Sequence, residues 1–157
     1  MCGLAGLLLA QPRLHGEELA ARARAMGAAL LHRGPDDSGV WFDAVAGVAL
    51  AHQRLSIQDL SPLGHQPMAS ADGRYVLAFN GEIYNFQGLR AALAAVGHRF
   101  RGHGDTEVLL AAVSEWGVEE ALRQCSGMFA LALWDRREGC LWLARDRVGK
   151  KPLYYGW

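Results

Sequence analysis

Met1-Cys2-Gly3-Leu4-Ala5-Gly6-Leu7-Leu8-Leu9 opens the chain. Residues 2–9 are too few for an independent helix and almost uniformly apolar, the pattern of a strand covered on both faces. The thiol at position 2 carries a second implication. Its small side chain permits removal of Met1, which would leave Cys2 with both a nucleophilic sulfur and a free α-amine. An α-amine has a pKa of about 7.7–8.0 and is a usable base near neutral pH. Nucleophile and general base then reside on one residue. Taken alone, a cysteine near an N-terminus is an ordinary small hydrophobe.

Beyond this strand, Glu17–Leu31 repeats Leu19, Ala23, Met26 and Leu30 at helical spacing, and Gly34-Pro35 ends the helix. His32-Arg33-Gly34-Pro35-Asp36-Asp37-Ser38-Gly39 reads as a polar loop, followed by strands over Val40–Phe42 and Val45–Ala51. Residues 52–68 mix polar and apolar side chains around Pro62, Gly64 and Pro67, which predicts a long loop of the functional kind. Tyr75–Phe79 is a strand running into Asn80-Gly81-Glu82-Ile83-Tyr84-Asn85. Helices are expected over Phe86–Val96, closed by Gly97 as a C′ residue, and over Asp105–Trp116, with Asp105 as N-cap. A short extended piece over His98–Arg101 separates them, and Val118–Cys125 forms one more helix. Met128–Trp134, Cys140–Ala144 and Leu153–Tyr155 read as closing strands. This order predicts an α+β domain of stacked sheets with helices outside.

The 157 residues suffice for one domain with a sizeable core. Sixteen basic and sixteen acidic side chains cancel, so nothing draws the chain to nucleic acid or to an anionic membrane. The run after Cys2 is too short to span a bilayer and follows no basic segment. Cys2, Cys125 and Cys140 show neither metal-ligand spacing nor a disulfide framework, which fits a reduced, cytoplasmic setting. Cys125 and Cys140 sit in apolar contexts and read as core thiols. His32, His52, His65, His98 and His103 do not cluster as metal ligands, so no metal is expected.

Several stretches agree in order and spacing with one family: Cys2-Gly3, the HRGPDDSG loop, His52-Gln53-Arg54-Leu55-Ser56-Ile57, Asn80-Gly81-Glu82-Ile83-Tyr84-Asn85, Gly104-Asp105-Thr106-Glu107, GMFALALWD and ARDRVGKKPLYYG. Together they resemble the glutaminase domain of glutamine-hydrolysing asparagine synthetases, a class II glutamine amidotransferase of the N-terminal nucleophile superfamily. HRGPD and RLSI are the asparagine-synthetase forms, distinct from those of glucosamine-6-phosphate synthases. The resemblance runs from residue 2 to residue 157 and implies a four-layer α/β/β/α sandwich.

It also implies roles. Cys2 would attack the side-chain carbonyl of glutamine, giving a γ-glutamyl thioester and ammonia, with its α-amine moving the proton. The side-chain amide of Asn80 and the backbone N–H of Gly81 would form the oxyanion hole, where each donor is worth about 2.7–4 kcal/mol. Glycine at 81 would let the backbone approach the reacting atom. Arg54 would fork onto the α-carboxylate, with the backbone of Leu55, Ser56, Ile57 and Gln58 lining the same pocket. Glu82 and Asp105 would grip the α-ammonium. Arg33 and Asp36 resemble family residues near the site. Plainer readings stand beside these: Arg54 as a solvated loop cation, Asp105 as a helix cap, Asn80-Gly81 as a turn.

The family pairs this domain with a C-terminal synthetase domain, which uses ATP and Mg to activate its acceptor. The Ser-Gly-Gly-x-Asp-Ser loop of that domain does not occur here, and Gly149-Lys150 lacks the remainder of a phosphate loop. The glutaminase reaction itself implies no cofactor. The acceptor of the ammonia, aspartate or another carboxylate, is read by the synthetase part, and the oligomeric state is not written in the sequence. A domain closing at Trp157 is expected to lack its last strands and to leave a sheet edge unpaired. Two other classes compete: a silent glutamine- or partner-binding fragment, and a hydrolase of another amide.

Overall fold

The computed structural model describes residues 2–11 and 15–157; Met1, and with it the expected loss of the initiator methionine, lies outside the described residues. In chain order the strands are β1 (Gly3–Leu8), β2 (Asp37–Asp43), β3 (Val48–Arg54), β4 (Met68–Ala69), β5 (Tyr75–Ile83), β6 (Gly127–Asp135) and β7 (Cys140–Arg145). The helices are α1 (Gly16–Ala28), α2 (Phe86–Ala95), α3 (Asp105–Trp116) and α4 (Val118–Gln124), with single 3-10 turns at Leu31–Arg33 and Pro62–Gly64.

Two antiparallel sheets result, ordered β1-β3-β2 and β4-β5-β6-β7. The period-two alternation of strands distributes their side chains over three apolar clusters. On β3, Ala49 and Ala51 face Leu19 and Ala23 of α1, while Val48 and Leu50 face the other sheet. There they meet Val76 and Ala78 of β5 and Ala132 and Trp134 of β6. On the far side of β5 and β6, Leu77, Phe79, Leu131 and Leu133 pack under α2, α3 and α4, against Leu93, Val108 and Ala121 among others. Gly27 brings α1 close to β3, since a Cβ there would lie 3.1 Å from Cβ of Ala51.

Several sequence expectations need correction. β1 is not covered on both faces: it forms a sheet edge, with Gly6 and Leu8 exposed. Residues 52–54 are not loop: β3 continues through His52, Gln53 and Arg54, all buried. Flanking strands supply ladder partners on both sides of His52 and Gln53 and on one side of Arg54, so polar side chains are carried inside. Asp37–Gly39 likewise belongs to β2, opposite Arg54 to His52. Val45 to Gly47 is a turn, not strand. Helix α1 stops at Ala28, three residues short of Leu31, and the chain tightens through Leu30 N–H to Gly27 O and Arg33 N–H to Leu30 O. Asn80-Gly81 is not a turn, because β5 runs straight through to Ile83. His98–Arg101, the piece between α2 and α3, lies outside any helix or strand. Cys140 is exposed and is no core thiol. Leu153–Tyr155 is not a strand either. The Asp146 carboxylate gathers the N–H groups of Phe129, Lys150 and Lys151, and the chain leaves β6 there with Tyr154 and Tyr155 exposed.

Candidate active site

One end of the sheet pair opens into a cleft lined by the start of β1, the end of β3, the second half of β5 and the first turn of α3. Cys2 reaches it because β1 pairs with β3 through Gly3 opposite Gln53. Gly3 has no space for a side chain, since a Cβ there would sit 2.9 Å from Cβ of Leu30. The half-buried Cys2 sulfur accepts the N–H of Leu55 at 3.3 Å. A thiolate gains from such a donor.

The β5 edge supplies the rest. Asp146 takes both backbone groups of Phe129, so the Gly81–Phe129 pair is a non-hydrogen-bonded one. The backbone of Phe79, Gly81 and Ile83 therefore turns away from β6. Phe79 N–H goes to Gln66 Oε1 at 2.7 Å and Ile83 N–H to Asp105 Oδ2 at 2.8 Å. Between them, the Gly81 N–H has no hydrogen bond to any described residue. Neither does the side-chain amide of Asn80, although Asn80 is buried. Two donors without protein partners thus border the same cleft as the Cys2 sulfur.

The structure adds a steric reason for glycine at 81. A Cβ would lie 2.4 Å from the Met128 carbonyl oxygen and 2.5 Å from Cβ of Phe129. Contact with β6 by itself forbids a side chain there.

Arg54 is buried, so the solvated-cation reading is excluded. Its guanidinium donates through Nη1 to Ser61 O at 3.0 Å and through Nη2 to the Asp59 carbonyl. No described carboxylate forms an ion pair with it, which leaves a cation and unused donors at the cleft wall. Leu55, Ile57 and Gln58 line the cleft, whereas Ser56 does not; its N–H is held by Asp36 Oδ2 at 2.8 Å. Asp36 N–H in turn donates to Arg54 O at 3.0 Å, and a Cβ on Gly34 would strike Arg54 at 2.5 Å, so the HRGPD loop is pressed onto the end of β3.

Glu82 and Asp105 face the cleft from β5 and α3. Glu82 Oε1 accepts Gln58 Nε2 at 3.2 Å. Asp105 is not the N-cap of α3: Gly104 takes that position, and the Asp105 carboxylate instead holds the β5 edge. Burial pushes the Asp105 carboxyl above its ordinary value against the pull of backbone N–H donors, and nearby Glu82 adds to the rise. A cationic ligand group would relieve that like-charge pressure.

Gln66 and Asp59 also line the cleft and hold its walls, outside the expected set. Gln66 caps the Phe79 N–H and reaches Thr106 Oγ1 at 3.4 Å. Asp59 accepts Ser61 N–H at 2.8 Å and His103 N–H at 2.9 Å. An Asx-x-Ser pattern at 59–61 was the available signal for the latter. Among the described residues no group of three or more His, Cys, Asp or Glu is placed to hold a metal, and no helix is long and apolar enough to cross a membrane. Cys125, buried away from the cleft, has its thiol pushed up to about 11 by burial.

The family model described as "Glutamine amidotransferase domain" matches residues 1–157. Asparagine synthetase [glutamine-hydrolyzing] 3 of Bacillus subtilis is 40% identical over 157 residues, covering 99% of this chain and 25% of that protein. Asparagine synthetase B [glutamine-hydrolyzing] of Escherichia coli is 40% identical over 157 residues, covering 100% of this chain and 27% of that one. The chain thus spans about a quarter of the length of these relatives. Among solved structures, glutamine phosphoribosylpyrophosphate amidotransferase from B. subtilis superposes with a TM-score of 0.63 at 19% identity, covering 92% of this chain and 36% of that chain.

Proposed function

The chain belongs to the glutamine amidotransferase domain family, and from that premise we propose that it hydrolyses glutamine to glutamate and ammonia through a γ-glutamyl thioester on Cys2. The observation that carries this reading is the meeting, in one cleft, of a thiol and two unpartnered donors, the Asn80 amide and the Gly81 N–H. That is the minimum set for acyl transfer: a nucleophile beside preorganised donors for the tetrahedral oxyanion.

Cys2 sulfur attacks the side-chain carbonyl of glutamine. Its α-amine, freed by loss of Met1, takes the thiol proton and passes it to the departing nitrogen, so ammonia leaves and the thioester remains. Water then cleaves the thioester, returning the thiol and releasing glutamate. The buried cation of Arg54 receives the α-carboxylate, and Glu82 with Asp105 receives the α-ammonium. Leu55, Ile57 and Gln58 form the wall between, and Ser56 contributes through its link to Asp36. No cofactor takes part in this half-reaction.

Residues 1–157 act as one glutaminase domain, a four-layer α/β/β/α sandwich of the N-terminal nucleophile type. It supplies ammonia to a C-terminal synthetase region, where ATP and Mg belong, in a cytoplasmic amidotransferase related to asparagine synthetases. The test is release of ammonia and glutamate in equal amounts from glutamine by the purified chain. Cys2-dependent release supports the reading. Glutamine binding without release favours a silent binding fragment instead.

A further inference from the structure

Asp59 lies at the seam between the two halves of the cleft and is buried although it sits in a loop. On one side it organises the Arg54 loop. Its Oδ1 accepts Ser61 N–H at 2.8 Å, and the carbonyls of Asp59 and Ser61 are the two acceptors of the Arg54 guanidinium. Gly64 closes over that guanidinium so tightly that a Cβ would lie 2.1 Å from Nη2. On the other side, Asp59 Oδ2 accepts His103 N–H at 2.9 Å, two residues before Asp105. Gly102 has no side chain to spare there, since a Cβ would stand 2.8 Å from Asp59 Oδ2. Glu107 holds the same loop from behind through the N–H groups of Arg101 and Gly102 at 2.9 and 2.8 Å.

One carboxylate therefore ties the cation of the cleft to the loop that delivers its anion. Hydrogen bonding from Ser61 first, and from the His103 N–H second, brings the Asp59 carboxyl down to about 2, so both links persist at any functional pH. An amino acid has its α-carboxylate and α-ammonium on one carbon, so a site for both must hold its two grips at one separation. We propose that Asp59 is the positioning residue that fixes the spacing of Arg54 and Asp105, so that the cleft takes the α-carboxylate and α-ammonium of one amino acid together. This rests on the glutamine reading above and assigns its zwitterion selectivity to a residue outside the expected set.

The test uses calorimetric titration of the full chain carrying Cys2→Ala, which binds without turnover. The ligands are glutamine and glutaric acid monoamide, which is glutamine without its α-amino group. Asp59→Asn keeps the volume and one acceptor oxygen but cannot accept both N–H groups as a carboxylate does; Asp59→Ala removes both links. Glutamine affinity is expected to fall about tenfold in Asp59→Asn and further in Asp59→Ala, while monoamide affinity moves within about twofold. Equal weakening of both ligands would mark Asp59 as merely structural and overturn the proposal, as would unchanged glutamine affinity. Absence of glutamine binding with Asp59 intact would instead overturn the reading of the site, and the role of Asp59 with it.

Discussion

The imidazole of His52 on β3 bonds through Nε2 to the carbonyl of Phe79 on β5, 3.0 Å away, and so joins the two sheets just behind the cleft. A carbonyl only accepts, so Nε2 carries the ring proton and Nδ1 is left bare. That Nδ1 is buried with no partner. Protonating it would place a charge and an unmatched donor in the interior.

The pH dependence of stability follows from this pair. Burial lowers the His52 pKa from 6.5 to about 4, against the smaller lift from the Phe79 carbonyl. Between those values the unfolded chain binds a proton that the folded chain does not, so stability rises with pH. The contribution is complete above about 6.5 and is lost as pH falls towards 4. It amounts to about 3 kcal/mol at most. Urea titrations between pH 7 and pH 4 should therefore show a steeper loss for the native chain than for His52→Gln. Parallel curves would contradict the assignment.

Asn80→Ala should leave stability nearly unchanged, because the side-chain amide has no protein partner to lose. It should lower kcat for glutamine hydrolysis about 10²–10³-fold with little effect on KM, as expected for a donor used mainly in the transition state. Steady-state kinetics on the variant decide this, and an unchanged kcat would remove Asn80 from the oxyanion hole.

Arg54→Lys keeps a charge but loses the planar fork that grips the Asp59 and Ser61 carbonyls. KM for glutamine should rise at least about tenfold, with kcat less affected. A KM equal to that of the native chain would contradict carboxylate binding at Arg54.

Two glycines separate steric need from conformational habit. Gly81→Ala forces a Cβ to within 2.4 Å of the Met128 carbonyl oxygen and should cost about 1–3 kcal/mol. Gly88, in α2, has nothing within 4 Å of a built Cβ, and Gly88→Ala should stabilise by about 0.4–1 kcal/mol. Chemical denaturation of the two variants beside the native chain checks both signs.

Much of this arrangement was legible in residue patterns, and its gaps have physical causes. Tyr75–Phe79 was legible as a strand, and Gly97, with φ of 105°, closes α2 as its position foretold. The run after Cys2 does form a strand, but at a sheet edge with Gly6 and Leu8 exposed, so its apolar character overstated its burial. The continuation of β3 through His52, Gln53 and Arg54 was hidden because polar residues usually end a buried strand. Here a hydrogen bond to Phe79 accommodates His52 and two loop carbonyls accommodate Arg54. Asn80-Gly81 carries a turn signal overridden by pairing with β6, a contact between segments some fifty residues apart. Asp105 at the head of a helix looked like a cap, but its carboxylate is spent on another strand. Gln66 serves the Phe79 N–H, brought near only by folding, and for Asp59 the local pattern at 59–61 pointed to Ser61 but not to His103, forty-four residues on.

Whether Cys2 acts as an N-terminal nucleophile is decided by intact mass spectrometry. The purified chain is weighed before and after acid quench during glutamine turnover. The predicted result is a chain without Met1 that gains a γ-glutamyl adduct, mapped to Cys2 and absent from Cys2→Ala. Glutamine hydrolysis at an equal rate by Cys2→Ala, or by a chain that retains Met1, would contradict it.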